Sequence, residues 1–113
     1  MHELSIAQEI INIVKTSLPD GHQKVKNVKI RVGKLSGVLS DSLKFCFESI
    51  IYQTELEGAL LVIEEIPVQI KCNECNSISI IDDPFFQCKN CQSFDVQLIS
   101  GKELEITEIE LED

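Results

Sequence analysis

Two closely spaced cysteine pairs constrain how the second half of this chain can fold. Cys72 and Cys75 form the first C-x-x-C pair, Cys88 and Cys91 form the second, and twelve residues separate the pairs. Each pair can turn both of its sulfurs toward one ion, so together they offer four soft ligands in a tetrahedral array, which suits Zn²⁺. Because four thiolates fill all four positions, the predicted zinc site is structural and leaves no open position for hydrolytic chemistry.

Paired cysteines have other uses, and three stay open as alternatives: two disulfides, a redox-active C-x-x-C, or an iron–sulfur cluster. Disulfides conflict with the expected compartment. The sequence has no apolar stretch long enough to span a bilayer, and it opens on Met-His-Glu without the basic region of a secretory signal. These features predict a cytoplasmic protein whose thiols stay reduced. A thioredoxin-like C-x-x-C would occur once, at the start of a helix, rather than twice in a ribbon.

The charge balance argues against two classes of partner. The 19 acidic residues outnumber the ten basic ones and give a formal net charge of −9. A chain this acidic is repelled by the phosphate backbone of nucleic acids and by anionic membrane surfaces. We therefore predict that the protein binds neither nucleic acid nor membrane.

Hydrophobic periodicity outside the cysteine segment predicts two helices and three strands. The predicted helices cover residues 1–18 and a segment from 40 or 41 to 53, and the predicted strands cover residues 24–35, 59–66 and 104–111. Ser40 or Asp41 has the side-chain chemistry to cap the second helix. In the last strand the buried parity changes at Thr107 and Glu108, which indicates a β-bulge.

The cysteine segment has a different texture. Two short apolar runs, Ile78–Ile81 and Phe85-Phe86, flank an Asp-Asp-Pro turn, which predicts a hairpin with a cysteine pair at each end. Residues 96–99 predict a short strand that leaves this hairpin. Strand 104–111 finds too few partners here, so we expect it to pair with the two earlier strands.

These patterns predict an α+β fold: a small domain of two helices and a three-stranded sheet, with an inserted zinc-ribbon lobe. The first domain is discontinuous and comprises residues 1–67 and 100–113. The zinc-binding ribbon domain comprises residues 68–99.

The N-terminus carries a second metal signal. If the chain begins at Met1, its α-amine, the backbone nitrogen of His2 and the His2 imidazole can chelate one ion, and the backbone nitrogen of Glu3 can add a fourth donor. Ni²⁺ and Cu²⁺ favour such planar nitrogen sites. The positive end of the first helix opposes a cation there, by about 0.3–1 kcal/mol. The alternative is that His2 is a frayed terminal residue.

Three features together resemble the HypA/HybF family. They are Met1-His2-Glu3-Leu4-Ser5 at the opening of the first helix, Arg31-Val32-Gly33-Lys34-Leu35-Ser36 at a strand end, and the double C-x-x-C. Members of this family are nickel metallochaperones for NiFe-hydrogenase maturation, with a nickel-binding domain and a separate zinc domain, and they are not enzymes.

The resemblance implies a site assignment and a set of partners. Ni²⁺ would be the cargo, bound by His2 with the terminal amine of Met1 and with Glu3 beside it. Zn²⁺ would be a structural cofactor, held by Cys72, Cys75, Cys88 and Cys91. The implied partners are the maturation GTPase HypB and the precursor of the hydrogenase large subunit; some relatives also serve urease. Self-association stays open as a further interaction.

The chain departs from the family at the residues after the cysteine pairs, and a rival function stays open. Some relatives carry histidines directly after the cysteine pairs, whereas Asn76 and Gln92 stand there in this chain, so an all-cysteine zinc site is the simpler expectation. The rival function is a zinc-ribbon protein-interaction adaptor, which would use the same four cysteines and leave His2 idle.

Overall fold

We describe residues 3–113 of the chain in a computed structural model. The elements, in chain order, are α1 (Glu3–Ser17), β1 (Val25–Gly33), a 3-10 turn (Lys34–Ser36), α2 (Ser40–Ile51), β2 (Leu60–Ile66), β3 (Val68–Cys72), β4 (Ile78–Ile81), β5 (Val96–Ser100) and β6 (Leu104–Leu111). Two helices and two three-stranded sheets confirm the predicted α+β class. Residues 1 and 2 of the predicted first helix lie outside the described residues. Within residues 3–113, no helix is long and apolar enough to cross a membrane.

The first sheet has the strand order β2-β1-β6. Strands β1 and β2 run parallel because α2 carries the chain back between them. Strand β6 joins this sheet as predicted, but it pairs, in the antiparallel sense, with β1 and not with β2. Lys29 pairs with Glu108 and Ile30 pairs with Ile106, so Thr107 is an extra residue on β6. The predicted bulge is confirmed, and it returns the apolar side chains of β6 to the buried face.

Both helices pack on one face of this sheet. Their apolar stripes form a single buried cluster with alternate residues of β1, namely Ala7, Ile10, Ile11 and Val14 from α1, Leu43, Phe47 and Ile51 from α2, and Val28, Ile30 and Val32 from β1. The intervening residues of β1 form ion pairs on the other face: Lys29 with Glu108 at 3.0 Å and Arg31 with Glu105 at 3.0 Å.

The second sheet has the strand order β4-β3-β5, and both pairings are antiparallel. The predicted hairpin between Ile78–Ile81 and Phe85-Phe86 is therefore wrong, because β4 pairs with β3 and residues 85 and 86 lie in a loop. Phe86 instead packs from that loop against the small core of Val68, Ile70 and Ile81. Two apolar residues next to a turn can therefore belong to a loop that packs on the core, and they do not by themselves indicate a strand.

The chain crosses between the two sheets at Pro67 and at Gly101, and Gly101 lies against Gly33 at the end of β1. The Gly33 amide donates to the carbonyl of Glu103 at 2.7 Å, and the Leu35 amide donates to the carbonyl of Gly101 at 2.7 Å. A β-carbon on Gly33 would lie 2.1 Å from the carbonyl carbon of Gly101, so the two backbone segments touch. This contact fixes the end of β1 against the segment that leaves the cysteine sheet.

Candidate metal centre

The four predicted zinc ligands come together at one point. Their sulfur atoms all lie within 4.8 Å of one another. The Sγ atoms of Cys72 and Cys91 are 3.5 Å apart, and so are those of Cys75 and Cys88. Zn–S bonds of about 2.3 Å would place tetrahedral sulfurs about 3.8 Å apart, and the observed separations lie within about 1 Å of that value, so the donor set suits Zn²⁺. A disulfide would need about 2.05 Å between two sulfurs, and none of the five cysteines, all of which lie within residues 3–113, is disulfide-bonded.

Two similar turns deliver these cysteines. In each turn the amide of the residue after the pair donates to the carbonyl of the first cysteine at 3.0 Å: Asn76 to Cys72, and Gln92 to Cys88. Both of those residues have a positive φ, 62° for Asn76 and 64° for Gln92. Asn tolerates this left-handed conformation better than most side chains, because it can hydrogen-bond locally. Asn76 and Gln92 are therefore the closing residues of the two turns.

Backbone amides surround the sulfurs of the first cysteine of each pair. The amides of Glu74 and Cys75 lie 3.4 Å from the Cys72 sulfur. The amides of Asn90 and Cys91 lie at the same distance from the Cys88 sulfur. N–H groups aimed at sulfur stabilise the thiolate form, which is the form that binds a metal.

The pKa values of the remaining two cysteines are shifted in opposite directions. A side-chain hydrogen bond with Ser77, followed by one with Asn90, lowers the pKa of Cys75 to about 5. A backbone hydrogen bond with Ser93 favours the Cys91 thiolate, but the adjacent Cys72 thiol and desolvation outweigh it and raise the pKa of Cys91 to about 12. Crowded thiols do not all ionise by themselves, whereas a divalent cation at their centre would hold all four as thiolates.

Asn90 also belongs to the cysteine cluster, although the cysteine spacing does not predict it. Its Nδ2 lies 3.5 Å from the Cys75 sulfur and 3.2 Å from the Ser77 hydroxyl oxygen, so it connects the second turn to the first. Side chains of this kind orient metal ligands without binding the ion. An Asn inside the second C-x-x-C is the only signal in the sequence, and spacing alone does not distinguish it from a solvated residue.

Of the three predicted nickel-binding residues, the structure describes one. Met1 and His2 lie outside the described residues. Glu3 is half-buried and is the first residue of α1. Its Oε2 accepts a hydrogen bond from the Leu39 amide at 3.2 Å.

The start of α2 differs from the prediction of a Ser40 or Asp41 cap. The helix begins at Ser40, its N-cap residue is Leu39, and the N-cap side chain makes no capping hydrogen bond. The Ser40 hydroxyl donates to Glu65 at 3.0 Å instead. The carboxylate at this helix start comes from Glu3, 36 residues away in the chain, which is why a local motif search does not find it.

Comparison with known proteins finds a matching family and several similar relatives. A family model described as "Hydrogenase/urease nickel incorporation, metallochaperone, hypA" matches residues 1–111. The chain is 44% identical to the hydrogenase maturation factor HypA of Desulfosudis oleivorans over the full length of both proteins. It is 45% identical to the HypA of Desulfatibacillum aliphaticivorans, with all of this chain and 88% of that protein aligned.

Two solved structures share the fold. The solution structure of the nickel metallochaperone HypA from Helicobacter pylori matches with a TM-score of 0.63 at 21% identity, over 98% of this chain and 97% of that one. A second HypA solution structure matches with a TM-score of 0.67 at 21% identity, over 98% of this chain and 96% of that one.

Proposed function

Since the chain belongs to the HypA family of hydrogenase and urease nickel-incorporation metallochaperones, we propose that it binds one Ni²⁺ ion at its N-terminus and delivers it during NiFe-hydrogenase maturation. The family consists of metallochaperones and maturation factors, so the chain is not an enzyme, and its function is to transfer an ion. The observation that carries the proposal is the extent of the family match, which begins at residue 1 and includes the Met1-His2-Glu3 segment.

The proposed nickel site is built from consecutive groups at the chain start. The α-amine of Met1, the backbone nitrogen and imidazole of His2, and the backbone nitrogen of Glu3 can form a nitrogen square of the kind that Ni²⁺ prefers. Glu3 supports this site from the first turn of α1, where its carboxylate offsets the positive end of the helix dipole. A carrier must also release its ion, so we expect modest affinity.

We propose Zn²⁺ as the resident ion of the four-cysteine cluster. The support is the donor set itself, in which four sulfurs lie within 4.8 Å of one another and backbone amides face two of them. The cation would offset half of the negative charge of the four thiolates and cross-link β3 to the two turns. Only three residues form the buried core of this sheet, so metal binding and folding should be coupled.

We also propose the division into two domains, residues 1–67 with 100–113 and residues 68–99. Each contains one of the two sheets and one of the two buried clusters, and this supports the division.

The proposal includes two partners, the GTPase HypB and the hydrogenase large-subunit precursor, and a cytoplasmic location. The role of the relatives as hydrogenase maturation factors supports both.

The chain contains two histidines, which provide a matched pair for testing the nickel site. His22 lies in the loop between α1 and β1 and serves as the control for His2. Ni²⁺ is titrated by calorimetry into the zinc-loaded His2→Ala and His22→Ala variants. We expect His2→Ala to lose the single nickel site while His22→Ala keeps it, and both to retain one zinc. Unchanged nickel binding by His2→Ala would overturn the proposal.

A further inference from the structure

Glu3 joins the first turn of α1 to the first turn of α2. Its carboxylate oxygen accepts the Leu39 amide hydrogen at 3.2 Å. Leu39 is the N-cap residue of α2 and its own side chain, which is 65% exposed, makes no contribution to capping. The first amides of a helix have no partner within the helix, so Glu3 provides an acceptor that α2 lacks locally.

The start of α2, to which Glu3 is hydrogen-bonded, is itself held in place. The next residue, Ser40, donates its hydroxyl hydrogen to the Glu65 carboxylate on β2 at 3.0 Å. Behind this helix start, α2 contributes three fully buried or nearly buried side chains to the core that it shares with α1: Leu43, Phe47 and Ile51. Glu3 is therefore attached to a rigid part of the fold and not to a loop tip.

We infer that Glu3 is a positioning residue of the nickel site, whose carboxylate anchors the backbone beside His2 to α2 and does not serve as a donor to the ion. This inference rests on the proposed N-terminal nickel site. A carboxylate at a helix N-terminus interacts favourably with the unpaired amides and with the helix dipole. Coordination of nickel through Oε2 would compete with this hydrogen bond, and the variants below test whether either carboxylate oxygen binds the ion.

The anchor has a consequence for nickel affinity. A chelate made from successive backbone groups must freeze the residues that carry them, and this costs conformational entropy. Fixing Glu3 before the ion arrives removes part of that cost, which is the usual effect of preorganisation on binding. Loss of the anchor should therefore weaken nickel binding without changing the atoms that contact the ion.

Four variants separate an anchor from a ligand. Glu3→Ala removes the acceptor, whereas Glu3→Gln keeps an amide oxygen that can accept the same hydrogen bond. Leu39→Pro removes the donor and leaves Glu3 intact, and the φ of −89° at this N-cap lies near the range of proline. Leu39→Ala is its matched control, because it shortens an exposed side chain and keeps the amide.

The assay is Ni²⁺ titration of the zinc-loaded full chain, with the visible absorption spectrum of the bound ion recorded for each variant. One hydrogen bond corresponds to about a fivefold change in Kd. We expect Glu3→Ala and Leu39→Pro to bind about fivefold more weakly and Glu3→Gln to lose no more than about twofold. The double variant Glu3→Ala with Leu39→Pro should lose no more than either single variant, since both break one bond. The absorption maximum should be the same throughout.

Two results would overturn the inference. In the first, Glu3→Gln binds as weakly as Glu3→Ala and shifts the absorption maximum, which is the behaviour of a lost carboxylate ligand. In the second, Leu39→Pro binds like Leu39→Ala, or Glu3→Ala binds nickel as tightly as the unchanged chain. Failure of the proposed function looks different: nickel binding would then be insensitive to His2→Ala, whatever the Glu3 variants do.

Discussion

Replacing Gly33 with Ala should destabilise the first domain through a collision between backbone segments. Gly33 has φ −74° and ψ 146°, an extended conformation that any residue adopts, so the backbone itself accepts alanine. The added β-carbon would lie 2.1 Å from both the carbonyl carbon and the oxygen of Gly101 and 2.6 Å from the amide nitrogen of Lys102. Since these are backbone atoms, no side chain can rotate away, and the segment 101–103 must withdraw from β1.

The cost follows from the contacts that this withdrawal breaks. Overpacking by a methyl group costs about 1–3 kcal/mol. The two 2.7 Å hydrogen bonds, from Gly33 to Glu103 and from Leu35 to Gly101, contribute about 0.5–1.5 kcal/mol each. We therefore expect Gly33→Ala to lower the free energy of unfolding by about 2–6 kcal/mol, out of a total that is commonly about 5–15 kcal/mol.

Denaturant unfolding followed by far-ultraviolet circular dichroism measures this change, because α1 and α2 dominate the signal. The matched control is Gly37→Ala. A β-carbon at Gly37 would meet nothing within 4 Å, but its φ is +78°, so only conformational strain of about 1–2 kcal/mol applies. The reasoning is refuted if Gly33→Ala unfolds within about 1 kcal/mol of the unchanged chain, or if Gly37→Ala costs more than Gly33→Ala.

Three further predictions concern the buried core, the cysteine cluster and the segment between β5 and β6. Phe47→Ala truncates a fully buried ring and should cost about 3–5 kcal/mol in denaturant unfolding while zinc content stays unchanged; a smaller cost would place Phe47 outside the core. Cys75→Ser should lose zinc and unfold the cysteine sheet while helical circular dichroism persists, and an unchanged melting profile of the zinc-free variant would contradict a structural role for the metal. Hydrogen bonds from the backbone amides of Glu103 itself and of Gly101 lower the pKa of the Glu103 carboxyl below its usual 4.5, so its stabilisation is present at neutral pH and disappears as the pH falls through that lowered pKa. Glu103→Gln should therefore be less stable than the unchanged chain at pH 7 and equally stable at the acid end of a pH series; a constant difference at every pH would exclude this linkage.

Elements with a clear hydrophobic period could be predicted from the sequence. The alternation of Val28, Ile30 and Val32 predicts β1, and the parity change near Thr107 predicts the bulge on β6, because burial of one face leaves each strand a single register. The cysteine cluster was equally predictable, since C-x-x-C spacing already defines the turn that presents two sulfurs to one ion.

Pairings that depend on distant residues could not be predicted in the same way. β3 has only five residues, and it pairs with β4 across the first cysteine turn and with β5 beyond the second, whereas the sequence favoured a hairpin with Phe85 and Phe86. The bond between Glu3 and Leu39 uses a backbone donor, which any residue could supply. The residue type at position 39 therefore gives no indication of this hydrogen bond.

The most direct test of the account compares nickel binding by the native chain with binding by a form that carries two additional residues before Met1. The extension keeps every side chain, including His2 and Glu3, but removes the α-amine of Met1 from the chelate. Both forms are loaded with zinc and titrated with Ni²⁺ under the same conditions. The account predicts one nickel per native chain and loss of that site in the extended form. Equal binding by both forms would contradict it, because nickel would then not depend on the terminal amine.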